Sequence, residues 1–392
     1  MADELTHKRH RIWGTTVPRL SRFAVEHLLL LPLGVAIALV WANVEPESYF
    51  RFSNATAFAA NDIAMVFFFA LMAKEVVEAT ASGGFLHPWR RALLPVVASL
   101  GVMLVPVLIH RQIVGPLDEP MLAAAWPVTF ATDVAVAYFA ARLIFGRKHP
   151  AIPFVILLGL AGDAFGFVAV ALFNPTRELH LAAGVLILVV VMSIASGLRR
   201  AGVKSFWPYV IGPGILSWYA LYWSGVHPAL ALVPIMPFLP HAARDPGFFV
   251  DASPKAPDAL SRFEVFWRYP AQLALFLFGL VNAGVQMGGL EAGTWALPIA
   301  VLIGKPVGIL LGAGLAVVAG LHLPDRLGWR ELLPIGFAAA IGLSVGLFFC
   351  SALMSTGQLQ SEVKMGVLLS VAGLPLALVA GRILRVGRYS RE

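Results

Sequence analysis

The sequence predicts an all-α integral membrane protein, and three observations carry that prediction. Hydrophobic residues make up 59% of the 392-residue chain and charged residues only 13%, where soluble domains carry roughly 25%. The mean hydropathy is +0.80. Apolar runs of about 17–25 residues recur along the chain, separated by charged or Pro/Gly-rich breaks.

Taken in order, the runs are 23–44, 58–80, 92–111, 121–142, 151–173, 180–198, 207–223, 226–240, 265–285, 295–320, 332–353 and 364–386, or about twelve membrane helices. The first follows a basic tail, residues 1–22, that holds Lys8, Arg9 and Arg11. No short apolar core with a cleavage site follows it, so the first run reads as an anchor and not a signal peptide. The seventh and eighth are the least separated, with only Ser224-Gly225 between them. One long polar loop, 241–264, lies between the eighth and the ninth. No separate soluble domain stands out, and 1–392 reads as a single transmembrane domain.

The charges orient this layout. Arg51, Arg111, Arg177 and Lys364 fall on one side, Lys74 and Lys305 fall inside spans, and the rest of the 29 Lys and Arg share the other side. By the positive-inside rule that side, which holds both termini, is cytoplasmic. The net charge of +7 is therefore a topology signal and not a nucleic-acid footprint; attraction to anionic membrane lipids is its by-product. The single cysteine, Cys350, excludes an intramolecular disulfide and a zinc cluster, and reads as packing.

A carboxylate at the middle of a membrane helix costs about 2.5–3.5 kcal/mol on insertion scales, so it needs a partner, a cavity or a function. Asp163 stands in such a setting, within Leu157-Leu-Gly-Leu-Ala-Gly-Asp-Ala-Phe-Gly-Phe167, and Lys305 in another, within Val301-Leu-Ile-Gly-Lys-Pro-Val-Gly-Ile309. Each is the other's natural partner. Lys74, Glu75 and Glu78 lie near the cytoplasmic end of the second run. Two readings stay open for them: a solvated helix end whose long side chains snorkel, or a cytoplasmic funnel that responds to pH. Asp62, near the outer start of the same run, reads as a helix cap.

Asp133 stands in Pro127-Val-Thr-Phe-Ala-Thr-Asp, where Pro127 and two threonines, the second of them Thr132, interrupt an apolar span. Proline removes a ladder hydrogen bond, so the helix is expected to open here. Opened helices present half-helix ends with partial charges, positive at N-termini and negative at C-termini. An Asp beside two N-termini and a Lys beside two C-termini would neutralise them. The eleventh run, Pro334 to Gly346, is a counterpart rich in glycine, Gly342 included, and it carries Ser344. Spans 3–5 and 10–12 then form two inverted repeats with discontinuous helices 4 and 11, which is the sequence mark of a secondary transporter.

These residues, with Asn61-Asp62, Lys74-Glu75-Val76, Ser224-Gly-Val-His227, Asn282-Ala-Gly-Val285 and Ile303-Gly-Lys-Pro306 in order, resemble the NhaA type of bacterial sodium/proton antiporter over nearly the whole chain. The resemblance implies inverted repeats, crossed unwound fourth and eleventh helices, and a homodimer in the inner membrane. It also implies Na⁺ or Li⁺ export against entering H⁺ without a cofactor. By the same resemblance Asp163 pairs with Lys305, Asp133 and Thr132 line the crossing, and Glu75 belongs to the region linked to pH response.

One position departs from the family pattern. Relatives have two adjacent Asp followed by an apolar residue and Gly; here the stretch is Asp163-Ala164-Phe165-Gly166. Anchored on Gly166, the second carboxylate is replaced by Ala164, and Asp163 is left as a weak Na⁺ ligand. Two coupled carboxylates exchange one cation for two protons. With one, Asp163 alternates between Lys305 and a proton or cation, which alters the stoichiometry. Burial and pairing act on the two in opposite senses, so either residue can carry the proton. A proton-coupled carrier of an anion drawn to Lys305, and a non-transporting sensor on the same scaffold, are the alternative readings. No Ser/His/Asp constellation, metal cluster or phosphate loop suggests an enzyme, and His227 reads as the cap of a helix start.

Overall fold

In lipid every backbone polar group must find its partner within the protein, which leaves helices or closed barrels. A computed structural model of the chain describes residues 30–80, 90–146, 149–173, 181–241, 258–286, 291–324, 326–354 and 357–390, and they form helices and turns without strands. The tail 1–22, the first residues of the first run and 242–257 of the long loop lie outside the described residues.

Helix α1 is Leu30–Val44 and α2 is Pro46–Phe58, with Pro46 in the first turn where its missing N–H is harmless. A π-helical turn, Ala59–Ala64, joins α2 to α3, Met65–Thr80. α4 is Arg90–Val114. α5, Pro120–Ala124, runs into a 3₁₀ turn, Trp126–Phe130, and α6, Val134–Phe145, follows after a break. Then come α7, Ala151–Phe173, α8, Leu181–Arg200, and α9, Ile215–Ser224. The last six are α10, Ala259–Asn282; α11, Ala292–Val318; α12, Trp329–Ala339; α13, Leu343–Leu353; α14, Gln358–Leu369; and α15, Gly373–Ile383.

Both expected discontinuities are present. Pro120–Phe130 and Val134–Phe145 meet at 50°, and Trp329–Ala339 and Leu343–Leu353 at 49°. Among the described residues five helices are long and apolar enough to cross a membrane, or seven if each bent pair is one span.

Three expectations are corrected. Asp62 does not cap a helix start, because the helical stretch begins at Pro46 and runs on to Glu78; Asp62 sits inside the π-helical turn. The expected eighth helix, 226–240, is a buried chain of turns with 3₁₀ pieces at Pro228–Leu230 and Met236–Phe238. Its prolines at 228, 234, 237 and 240 remove the N–H groups that an α-helix would need. The loop expected at 241–264 also ends early, because Asp258 accepts a hydrogen bond from Ser261 N–H at 2.8 Å and starts α10.

Packing sorts the elements into two bodies. In the first, α4 lies along α11, with α6, α7 and α12 to α15 around them. In the second, α10 lies against α1 and α3, alongside α2, α8, α9 and the proline-rich turns. The close approach of α4 and α11 depends on glycine: a Cβ on Gly101 would collide with the Gly308 carbonyl, and one on Gly312 would lie 2.7 Å from the Ala98 oxygen. This contact positions Lys305, whose neighbour Gly304 rests against Pro106. Between the bodies the largest contact is α10 against α13.

Candidate ion-binding site

The two broken helices cross at their breaks. Pro127 lies in the first turn of the 3₁₀ piece, and the chain opens four residues later, at Ala131-Thr132-Asp133. Gly342, the counterpart, lies against it: a Cβ there would be 2.7 Å from the Ala131 oxygen. The two breaks are tied by Asp133 N–H donating to the Ile341 oxygen at 2.6 Å and Thr132 Oγ1 donating to the Ala339 oxygen at 3.1 Å.

Asp133 serves both N-terminal half-helix ends. Its Oδ1 accepts from Val136 N–H at 3.2 Å, capping α6, and its Oδ2 accepts from Ser344 N–H at 3.2 Å and Ser344 Oγ at 2.8 Å, at the start of α13. Lys305 serves both C-terminal ends. Its ammonium, with the side chain 0% exposed, donates to the Phe130 oxygen at 3.4 Å, the Ala131 oxygen, the Ala339 oxygen at 2.9 Å and Thr132 Oγ1 at 3.1 Å. Opposite charges thus meet the half-helix ends they complement.

Asp163 is also buried, and its Oδ1 accepts from Thr132 N–H at 3.0 Å. The expected direct pairing with Lys305 is not the arrangement found. Thr132 stands between the two charges, its N–H on Asp163 and its hydroxyl on Lys305. The reason is competition: the carbonyls of two opened helices point at the ammonium and occupy it.

The face of α7 that meets the break is set by Gly159, Gly162, Asp163 and Gly166. A Cβ on Gly159 would lie 3.1 Å from Thr132 Cγ2, and one on Gly166 would press on the Phe349 ring at 2.8 Å. Gly162 is buried, with room for a Cβ 3.8 Å from the Phe130 oxygen. Ala164, where the family pattern has its second carboxylate, is exposed.

Lys74 is not a snorkelling end residue. It is 2% exposed and contacts Glu75 at 3.3 Å, Glu78 at 2.7 Å and Glu264 of α10 at 2.7 Å. Glu264 lies one position before the ninth apolar run, 265–285, and so outside any hydropathy window that defines it. His227 does cap: its Nδ1 accepts from Ala229 N–H at 3.3 Å. Cys350 is buried among apolar residues, and no group of three or more metal-ligating side chains occurs among the described residues.

With this geometry in hand, the chain matches the family described as Na⁺/H⁺ antiporter 1 over residues 22–384. It is 41% identical to a Na⁺/H⁺ antiporter NhaA 1 of Pelobacter propionicus, covering 93% of this chain and 98% of that one. It is 40% identical to a Na⁺/H⁺ antiporter NhaA of Desulfitobacterium hafniense, covering 95% and 98%. The sodium proton antiporter MjNhaP1 of Methanocaldococcus jannaschii shares the fold, with a TM-score of 0.62 at 16% identity and 97% of both chains covered. The matching profile spans nearly every described residue, both broken helices included, so the chain belongs to the Na⁺/H⁺ antiporter 1 family.

Proposed function

We propose that the protein exchanges Na⁺ or Li⁺ for H⁺ across the bacterial inner membrane by alternating access. Asp163 is the ion-binding carboxylate and Lys305 its electrostatic partner through Thr132. The observation that carries this is the burial of one carboxylate and one ammonium at a double helix break, joined by a single residue. Thr132 holds Asp163 Oδ1 and leaves Oδ2 for a proton or a cation; a desolvated cation would draw its remaining oxygens from Thr132 and the nearby carbonyls. Asp133 holds the crossing together from the other side. Lys305 does not recruit an anion, because it spends its donors on four oxygens and offers none to one.

In this reading the chain crosses the membrane about twelve times, with 226–240 as a buried non-helical crossing, and spans 3–5 and 10–12 form two inverted repeats within one transmembrane domain; both termini are cytoplasmic, and the protein works as a homodimer without a cofactor. The Lys74 cluster lies at the cytoplasmic end and sets the pH response. One ammonium there faces three carboxylates, so the cluster's charge changes as protons arrive. Replacing Glu264 by Gln removes one like charge from beside Glu75 and Glu78. The rate-against-pH curve of exchange is expected to move toward acid with its height retained, and an unmoved curve from folded protein would refute this role.

Proteoliposomes loaded with a proton gradient test the reading directly. Added Na⁺ or Li⁺ should dissipate the gradient, and K⁺ should not. Ala164→Asp places a second carboxylate directly beside Asp163, at a position that no neighbouring side chain covers. It should lower the half-saturating Na⁺ concentration and raise the number of protons exchanged per cation, read as a stronger response to membrane potential. Gly162→Asp, buried against the Phe130 oxygen, is the control that places a second carboxylate on the other side of Asp163. No cation response in any of the three proteins would reject the antiport reading.

A further inference from the structure

One set of polar groups outside the ion site lies on the boundary between the two bodies. Asn282, the last residue of α10, is 3% exposed. Its Nδ2 donates to Asn61 Oδ1 at 2.7 Å and to the Phe278 oxygen at 2.9 Å. Its Oδ1 accepts from Asn61 Nδ2 at 3.3 Å and from Ser351 Oγ at 2.8 Å. Both hydrogens and both lone-pair directions of this amide are therefore used. Asn61 lies in the π-helical turn of the second body, a type of irregularity frequent at functional sites. Ser351 lies in the last turn of α13, in the first body.

The Asn61–Asn282 exchange stays within the second body, but the Ser351 bond crosses to the first. It does so at α10 against α13, the largest contact between the bodies. One turn below it, the Phe348 ring of α13 packs between Phe69, with centroids 5.1 Å apart, and Phe278, at 6.3 Å. The other end of α13 carries Ser344, which holds Asp133. Helix α13 thus connects the ion site to a hydrogen bond on the neighbouring body. The bond lies at the end opposite the Lys74–Glu264 contact, since α10 runs from one to the other.

We propose that Asn282, buttressed by Asn61 and engaged by Ser351, is an outer latch: it holds α13 against α10 and keeps the ion site closed on the outer side. The inference rests on the antiport reading. Opening outward requires α13 to leave α10, which breaks one hydrogen bond and separates the Phe348 contacts. A hydrogen bond of this kind contributes a net factor of about five in an equilibrium. The latch therefore biases the outward and inward states and does not lock them.

The test uses Ser351→Ala, with Ser351→Thr as the hydroxyl-retaining control; Asn282 keeps its bonds to Asn61 in both. Half-saturating Na⁺ is measured from each face, in right-side-out and everted vesicles. Losing the latch should lower the outer value and raise the inner one, changing their ratio by about fivefold, while the Thr variant stays near wild type. A merely structural loss would move both values the same way or lower the amount of folded protein. A second readout needs no transport. Ala274, on the α10 stripe with Phe278 and Asn282 and 7% exposed, is replaced by Cys in a Cys350→Ala background. A membrane-impermeant maleimide added outside should label it about fivefold faster when Ser351→Ala is added. Equal labelling, together with no opposed change in the two Na⁺ values, would overturn the latch. If the unmodified protein exchanges no Na⁺, the antiport reading fails and labelling alone decides the latch.

Discussion

Asp163→Asn abolishes Na⁺- and Li⁺-driven proton release in proteoliposomes, down to the level of protein-free vesicles, while the protein stays folded. The substitution keeps size and an oxygen, so Thr132 N–H retains its acceptor and the crossing of the broken helices is undisturbed. What is lost is the charge. An amide neither takes up a proton at operating pH nor supplies the strong ligand that a desolvated cation needs. Asp133 does not substitute for it, because both its oxygens are committed to α6 and α13. Ala164 leaves no second acid on α7 beside Asp163, so the loss is complete. Normal Na⁺-driven flux in folded Asp163→Asn protein would place the ion site elsewhere.

Lys305→Met is expected to have the largest effect on stability, and it removes exchange as well. Methionine fills nearly the same volume but donates nothing, which takes the ammonium from four buried oxygens; the Ala339 oxygen keeps the Thr132 hydroxyl, and the Phe130 and Ala131 oxygens lose the Lys305 contact outright. Removing one partner of a buried charged network costs about 3–5 kcal/mol, and an orphaned buried acceptor about 1–3 kcal/mol. The half-helix ends at Phe130 and Ala339 would then point partial negative charge at each other with nothing between. A melting temperature lower by on the order of 5–10 °C in detergent is the expected reading. Unchanged melting would mean that the carbonyl contacts of Lys305 do not hold the crossing, and that its role is confined to charge balance with Asp163.

The fold was legible wherever the signal is local. Long apolar runs follow from composition within a window, and the broken helices followed from Pro127 and the glycines around Gly342. The eighth span shows the limit: 226–240 is apolar enough, but prolines three to six residues apart forbid the ladder, and hydropathy does not register that. Asp62 shows another. A polar pair near the start of an apolar run reads as a cap, yet the helical stretch had already begun upstream at Pro46, in sequence too polar for a hydropathy window to include.

The candidate site was legible as a set of residues and not as a set of contacts. Asp133 at two N-termini and Lys305 at two C-termini were predictable, because each charge type complements one end of an opened helix. Thr132 as the bridge between Asp163 and Lys305 was not, since it depends on which carbonyls reach the ammonium first. Glu264 and Asn282 were missed as partners for the same reason: each stands next to an element boundary, and its partner lies far along the chain.

By itself, then, the sequence determined that the chain is a membrane-embedded helical transporter and which in-membrane charges need an explanation. These are properties of windows of about twenty residues, governed by the free energy of moving side chains and backbone into lipid. Only the tertiary structure decided how the charges are satisfied. Thr132 meets Asp163 across 31 positions and Ala339 across 207, and Asn282 meets Asn61 across 221. Such contacts depend on how two bodies pack, and no local pattern specifies them. The physical reason is that a buried polar group takes whichever partner the packing brings within hydrogen-bond reach.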